Sequence, residues 1–336
     1  MAFKILSIDG GGIRGIIPGQ MLVSLESRIR SRPGHQDAKI GDYFDLFAGT
    51  STGAILSAAY VCPGVNNSLK YSAQDAVDFY LEDGDEIFDV GFWRTVGSVG
   101  GLNDEKYPAK ELEKVLKNAF GDIKLSELSK PTCIVAYDVR MRTPIIFTQH
   151  DAINKARDFL IRDVLRGSTA APTYFETAKI YSLPPTRRKY VLIDGGLVAN
   201  DPTLCAYSEA VRTKMAKGIK DMMILSIGTG KELRSYSYPE VKDWGKLGWA
   251  APVIDIGLEG GPQMTEYHME SISSTVRGSQ FYRIQPQLYG AAKELDNATP
   301  ENLEALREAG LRNSDDYDTM LEGLADYLID DHSPQD

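Results

Sequence analysis

Short apolar runs alternate with amphipathic stretches along the chain, the pattern of strands and helices taking turns in an α/β protein. FKILSI, Phe3–Ile8, predicts a first strand, and IPGQMLVSLESRIRS, with Pro18 near its start, a first helix. YFDLFAG predicts a buried second strand ending at Gly49, and GAILSAAYV an apolar helix that stops near Pro63. A long polar middle follows, with helices expected over residues 74–81 and 109–119. CIVAYDV and PIIFTQ then read as two strands joined by RMRT, and RDFLIRDVLRGSTAAPTYF as a helix ending at small residues and Pro172. KYVLIDGG and MMILSIGTG predict two more strands, each closed by a glycine turn, with a helix over residues 204–214 between them. From Pro239 onward the pattern is mostly helical, closing with ENLEALREAG and TMLEGLADYLID. Glycine and proline punctuate strand ends throughout and no linker or repeat is seen. One domain over residues 1–332 is therefore expected, with 333–336 a frayed tail.

Three glycine-bordered strand ends carry candidate chemistry. In SIDGGGIRG, Gly10, Gly12 and Gly15 stand between a strand and a helix in the spacing of a dinucleotide-binding loop. The same backbone geometry also points N–H groups at a reacting oxygen. A dinucleotide fold wants an acid at the end of the second strand, about twenty residues on. The chain there reads RSRPGHQDAKIGDYF, with Asp37 in a polar loop, and Asp9 puts a negative charge just before the phosphate position. GTSTG, Gly49 to Gly53, is the second site, a G-x-S-x-G strand-to-helix turn. About one serine in 200 is flanked by two such glycines by chance. A helix starting beneath Ser51 favours developing negative charge there.

Serine alone is a weak nucleophile and needs a base. LIDGG supplies one candidate: Asp194 at a strand end, followed by Gly195 and Gly196, expected at the carboxyl edge of the sheet. Burial should raise its pKa above the ordinary value of about 4. The oxyanion would then be received by the N–H groups of Gly11 and Gly12, with Thr52 as a further donor. IGTGK, ending at Lys231, lacks the first glycine of a phosphate-cradling loop and is excluded as one.

These three motifs in this order, together with DYFDLFAGTSTG, STAAPTYF and ILSIGTG, resemble the patatin-like phospholipase family. The likeness spans residues 3–231 and continues more weakly into the helical tail. It implies a three-layer α/β/α fold with a mostly parallel central sheet and a helical C-terminal region. The implied activity is hydrolysis of fatty-acyl esters of membrane phospholipids or related lipids, of phospholipase A type, through an acyl-enzyme and without a metal or other cofactor. By the same resemblance Ser51 is the nucleophile, Asp194 the base, and Gly10, Gly11 and Gly12 the oxyanion loop. Gly49 and Gly53 flank the elbow. Arg14 either meets a lipid phosphate or anchors the loop by pairing with a carboxylate.

Composition narrows the partners. The 336 residues carry a net charge of −10, which argues against a nucleic acid polymer and against a broad attraction to anionic membranes. The basic run TRRK, residues 186–189, reads as a solvated loop. Three cysteines, Cys62, Cys133 and Cys205, offer neither metal spacing nor a disulfide framework and suit a reducing compartment. With no leader pattern or spanning run, the expected location is the cytoplasm, with transient contact at a membrane surface. VGFWRTVGSVGGL, residues 90–102, with Phe92 and Trp93, is a candidate lid or membrane-dipping loop, or an aromatic anchor to the core. The stretch DWGKLGWAAPVIDIGLEGG caps a pocket or forms a subunit interface, which leaves a homo-oligomer open. Bacterial proteins resembling patatins include defence effectors switched on by cyclic nucleotides, so a cyclic nucleotide activator and an antiphage role stay open. Two rivals remain. One is a Ser51–Asp194–His268 triad, in the order of an α/β-hydrolase but with too few strands before its elbow. The other is a nucleotide-binding module without hydrolysis.

Overall fold

The computed structural model describes residues 2–82, 109–153, 157–231 and 235–330. The 90–102 segment and the 333–336 tail singled out above lie outside the described residues. Among the described residues eight strands form one sheet: β1 (Phe3–Ile8), β2 (Leu46–Thr50), β3 (Thr132–Asp138), β4 (Thr143–Thr148), β5 (Ala178–Tyr181), β6 (Lys189–Asp194), β7 (Met222–Ile227) and β8 (Gln280–Ile284). Strands β3, β2, β1, β7 and β8 lie side by side and parallel, whereas β4, β5 and β6 run antiparallel to their partners. The parallel strands are apolar on both faces, as helices covering both sides require.

Nine helices of more than one turn flank the sheet among the described residues: α1 (Ile16–Arg30), α2 (Thr52–Tyr60), α3 (Ala73–Glu82), α4 (Ala109–Phe120), α5 (Ile161–Ser168), α6 (Thr203–Arg212), α7 (Lys246–Ser274), α8 (Pro300–Asp316) and α9 (Asp318–Asp330). The period of two along β1 sorts its side chains onto two cores. Leu6 and Ile8 join the large cluster packed by α1, α8 and α9, while Ile5 joins a smaller one with Ala206 of α6 and Met269 of α7. The layers are thus helix, sheet, helix. α4 shows why such segments are helical: Leu112, Val115, Leu116, Ala119 and Phe120 are buried at the spacing of one helix face.

Two strands were not legible in the sequence. β5, AKIY, is four residues long and alternates buried with exposed positions. β8, QFYRI, is a strand within a tail that is otherwise mostly helical, as expected. Its Arg283 interrupts the apolar run, and that side chain is buried by pairing rather than by hydrophobicity.

Candidate active site

The site forms where two strand ends meet on β3. One edge of β3 is taken by β4 along Cys133 to Asp138. The other edge is shared: β2 covers it up to Thr50, opposite Val135, and β6 takes over with Asp194 opposite Ala136. β2 and β6 run in opposite senses and meet end to end, so Ser51, just past β2, arrives beside Asp194, the last residue of β6. The aspartate thus lies beside the carboxyl end of β2, although β6 does not run parallel to it. It stands at a seam inside the sheet, because β6 enters from the opposite direction.

Ser51 occupies the turn between β2 and α2 with φ 54° and ψ −122°. A non-glycine residue held there costs about 1–3 kcal/mol, and its surroundings hold it. Its N–H donates to Ser168 Oγ at 3.0 Å, and that hydroxyl donates to Val135 O at 2.6 Å. Close backbone approach makes the flanking glycines necessary: a Cβ on Gly49 would stand 2.2 Å from Gly53 O, and one on Gly53 2.1 Å from Ile8 O. Behind the elbow, Thr52 Oγ1 donates to Tyr80 OH at 2.7 Å, fixing the first turn of α2 to α3.

Asp194 is buried, and burial raises its pKa to about 6 against the pull of hydrogen bonds from the Ser51 hydroxyl and the Gly196 N–H. The Gly196 N–H lies 2.7 Å from Oδ1. The carboxylate is thus oriented from one side by the backbone and faces the serine on the other. A base tuned toward neutrality accepts a hydroxyl proton better than an ordinary aspartate does.

The glycine loop leaves β1 tied down at several points. Asp9 is buried and takes a two-pronged contact from Arg283 of β8, at 2.8 and 2.7 Å. Burial pushes the Asp9 carboxyl up, and the Arg283 guanidinium holds it down. Gly10 N–H donates to Asn200 O at 3.0 Å, and Gly10 O accepts from Thr229 Oγ1 at 2.8 Å. Gly10 is therefore not an oxyanion donor, contrary to the expectation for the whole loop; its N–H is already engaged. Gly11 and Gly12 line the same pocket as Ser51, and their N–H groups make no protein hydrogen bond among the described residues. Gly12 has φ +57°, and a Cβ there would stand 2.1 Å from Leu295 O.

Ser51, Asp194, Gly10, Gly11, Gly12 and Thr52 all border one pocket with largely apolar walls, among them Ile55, Leu112, Phe175, Leu197, Ile254 and Leu258. Arg14 borders it too, and also a neighbouring polar cavity that contains Lys231, Glu266 and Gln285. His268 is exposed on α7, packed edge-on against Tyr267, and does not border the pocket, which removes the triad rival. Among the described residues, His150, Asp151 and Glu209 form the one cluster with metal-ligand spacing. Arg212 already pairs with its two carboxylates. Sequence reasoning missed Ser168, Asn200 and Arg283. Ser168 lies within STAAPTYF and Asn200 shortly after LIDGG, so their proximity to the motifs was the available signal; Arg283 had none.

A family model described as patatin-like phospholipase matches residues 6–207. The chain belongs to the patatin-like phospholipase family, and its general activity is that of a lipid acyl hydrolase. It is similar to patatin-like protein 2 of Arabidopsis thaliana, 34% identical over 332 residues, covering 91% of this chain and 81% of the relative. Patatin group J-1 of Solanum tuberosum is 32% identical over 324 residues, covering 91% and 82%. A third relative, named probable inactive patatin-3-Kuras 1, also from Solanum tuberosum, is 30% identical over 352 residues, covering 97% and 92%. Likeness at this level thus includes a protein named as inactive, and turnover has to be argued from the site's own groups.

Proposed function

We propose that the protein hydrolyses fatty-acyl esters of phospholipids or related lipids by a Ser51–Asp194 dyad. The observation that carries this reading is a strained serine beside a buried, backbone-oriented carboxylate at the wall of an apolar pocket. Ser51 Oγ attacks the ester carbonyl as Asp194 takes its proton, and the proton passes to the leaving alcohol. Water then attacks the acyl-enzyme by the reverse route, returning the proton to Ser51. The carbonyl oxygen becomes negative in each half-reaction and is received by the N–H groups of Gly11 and Gly12, with the Thr52 N–H at the start of α2 as a third donor.

The test is the rate of fluorophosphonate labelling, followed by intact mass and peptide mapping. One adduct, on Ser51, is expected. Because Asp194 serves as base only when ionised and has a pKa of about 6, the labelling rate is expected to fall below about pH 6. A rate that stays flat down to about pH 4 would overturn the role of Asp194. An adduct that appears only with a cyclic nucleotide present would make the same chemistry a gated one and would favour the antiphage reading. Saturable nucleotide binding lost on altering Gly12, with no adduct, would revive the binding module.

Arg14 borders both the apolar pocket and the polar cavity beside it. Arg14→Ala is expected to lower phospholipid hydrolysis at least about tenfold and leave neutral esters nearly unchanged, as loss of a charge-assisted phosphate contact does. Equal losses on both substrates would make it a loop anchor.

A further inference from the structure

α7 carries two apolar faces. Ile254 and Leu258 border the active-site pocket and Met269 is buried in the second core cluster, all on one side of the helix. On the other side Trp249, Val253, Ile256, Met264 and Tyr267 are exposed, from 40% at Trp249 to 62% at Tyr267. At 3.6 residues per turn these five fall in a stripe about 80° wide and about 27 Å long. Gly260 continues the stripe, and no charged residue interrupts it. Trp244 packs on Trp249 with ring centres 5.0 Å apart, and Tyr236 packs on Trp244, extending its apolar end. Exposed apolar residues scattered singly are ordinary, but five in register are not.

We propose that this outer face of α7 seats the enzyme on a lipid surface of zwitterionic headgroups, a step that rests on the lipid acyl hydrolase reading above. The same helix also walls the site: Ile254 and Leu258, which border the pocket, lie within one turn of Ile256 but on the opposite side of α7. A seated helix would therefore lie between the lipid and the pocket, holding the pocket one helix diameter, roughly 10 Å, from the layer that holds the substrate. Its ends carry Trp249 and Tyr267, whose rings suit the boundary between headgroup and chain. Charge selects the headgroup. Between Trp249 and Tyr267 the stripe holds no Lys or Arg, Glu259, Glu266 and Glu270 flank it, and the net charge is −10, so anionic lipid would be repelled. No helix among the described residues is long and apolar enough to cross a membrane, so the contact is interfacial.

Flotation with phosphatidylcholine vesicles tests this on Ser51→Ala protein, which leaves the lipid intact. Ile256→Glu and Met264→Glu, each added singly, are expected to weaken vesicle binding at least about tenfold, the effect of losing one buried apolar side chain. In chains that keep Ser51, hydrolysis of a water-soluble short-chain ester and the sedimentation mass are expected to be unchanged by either substitution. Undiminished flotation in both variants would overturn the proposal, as would stronger binding to phosphatidylserine than to phosphatidylcholine. A fall in mass from dimer to monomer would make the face a contact with a second copy and would equally overturn it. If the unsubstituted protein fails to hydrolyse the soluble ester while the substitutions still abolish flotation, the hydrolase reading fails and the docking face stands.

Discussion

Asp194→Asn is expected to slow ester turnover by about 10³- to 10⁴-fold and at the same time to raise the melting temperature by a few degrees. The first effect follows from removing the group proposed to take the Ser51 proton. The second follows from burial. Asp194 has a pKa of about 6 in the folded chain against an ordinary 3.8, so the folded state binds this proton more tightly than the unfolded state. The ionised carboxylate therefore destabilises the fold by up to about 3 kcal/mol. That penalty is fully present above about pH 6 and disappears as the pH falls below 3.8. Asparagine keeps an oxygen for the Gly196 N–H, so about 1–3 kcal/mol of the penalty is expected to be recovered at neutral pH. Steady-state kinetics and thermal melts of the same preparation check both halves. Unchanged turnover, or a lower melting temperature, would remove the base assignment.

Arg283→Leu is expected to destabilise the protein by about 3–5 kcal/mol, because it leaves the Asp9 carboxylate buried with no opposite charge. With the guanidinium gone only upward pushes on Asp9 remain, from burial first and then from the Asp201 and Glu266 charges, so the loss is expected to be greatest at alkaline pH and to shrink as the carboxyl protonates. Adding Asp9→Asn to the same chain is expected to restore only part of the stability, since the buried Asp201 carboxylate, 3.3 Å from Arg283 in the unsubstituted protein, still lacks its opposite charge. Urea melts of the three variants at two pH values check this. An Arg283→Leu chain as stable as the unsubstituted protein at alkaline pH would show that the pair does not hold the glycine loop.

Local features of the site were legible in the sequence. The serine elbow needs glycines where β2 turns into α2 and α2 starts against the end of β1, and a motif of five residues records that need. The apolar run of β1 and the face spacing of α4 were readable for the same reason, since each depends on neighbours a few positions away. What brings Ser51 to Asp194 is of another kind. It depends on Thr50 and Asp194 facing adjacent residues of β3, a register set by hydrogen bonds between segments far apart in the chain. Arg283 was hidden because its partner lies 274 positions away and nothing around it in β8 calls for a charge. Gly10 was misread as a donor because its own partner, Asn200 O, comes from a loop that only the fold brings near.

The matched stretch, residues 6–207, contains Ser51, Asp194 and all three loop glycines, yet it is not a portable module. β1 depends on β7 along its whole length, Asp9 depends on Arg283, and Ile13 N–H donates to Leu295 O at 2.8 Å. Each of those supports lies beyond residue 207. An excised fragment or a domain graft drawn at that boundary would carry every reacting group and lose the frame that aims them, so the smallest transferable unit of this chemistry extends at least to Leu295.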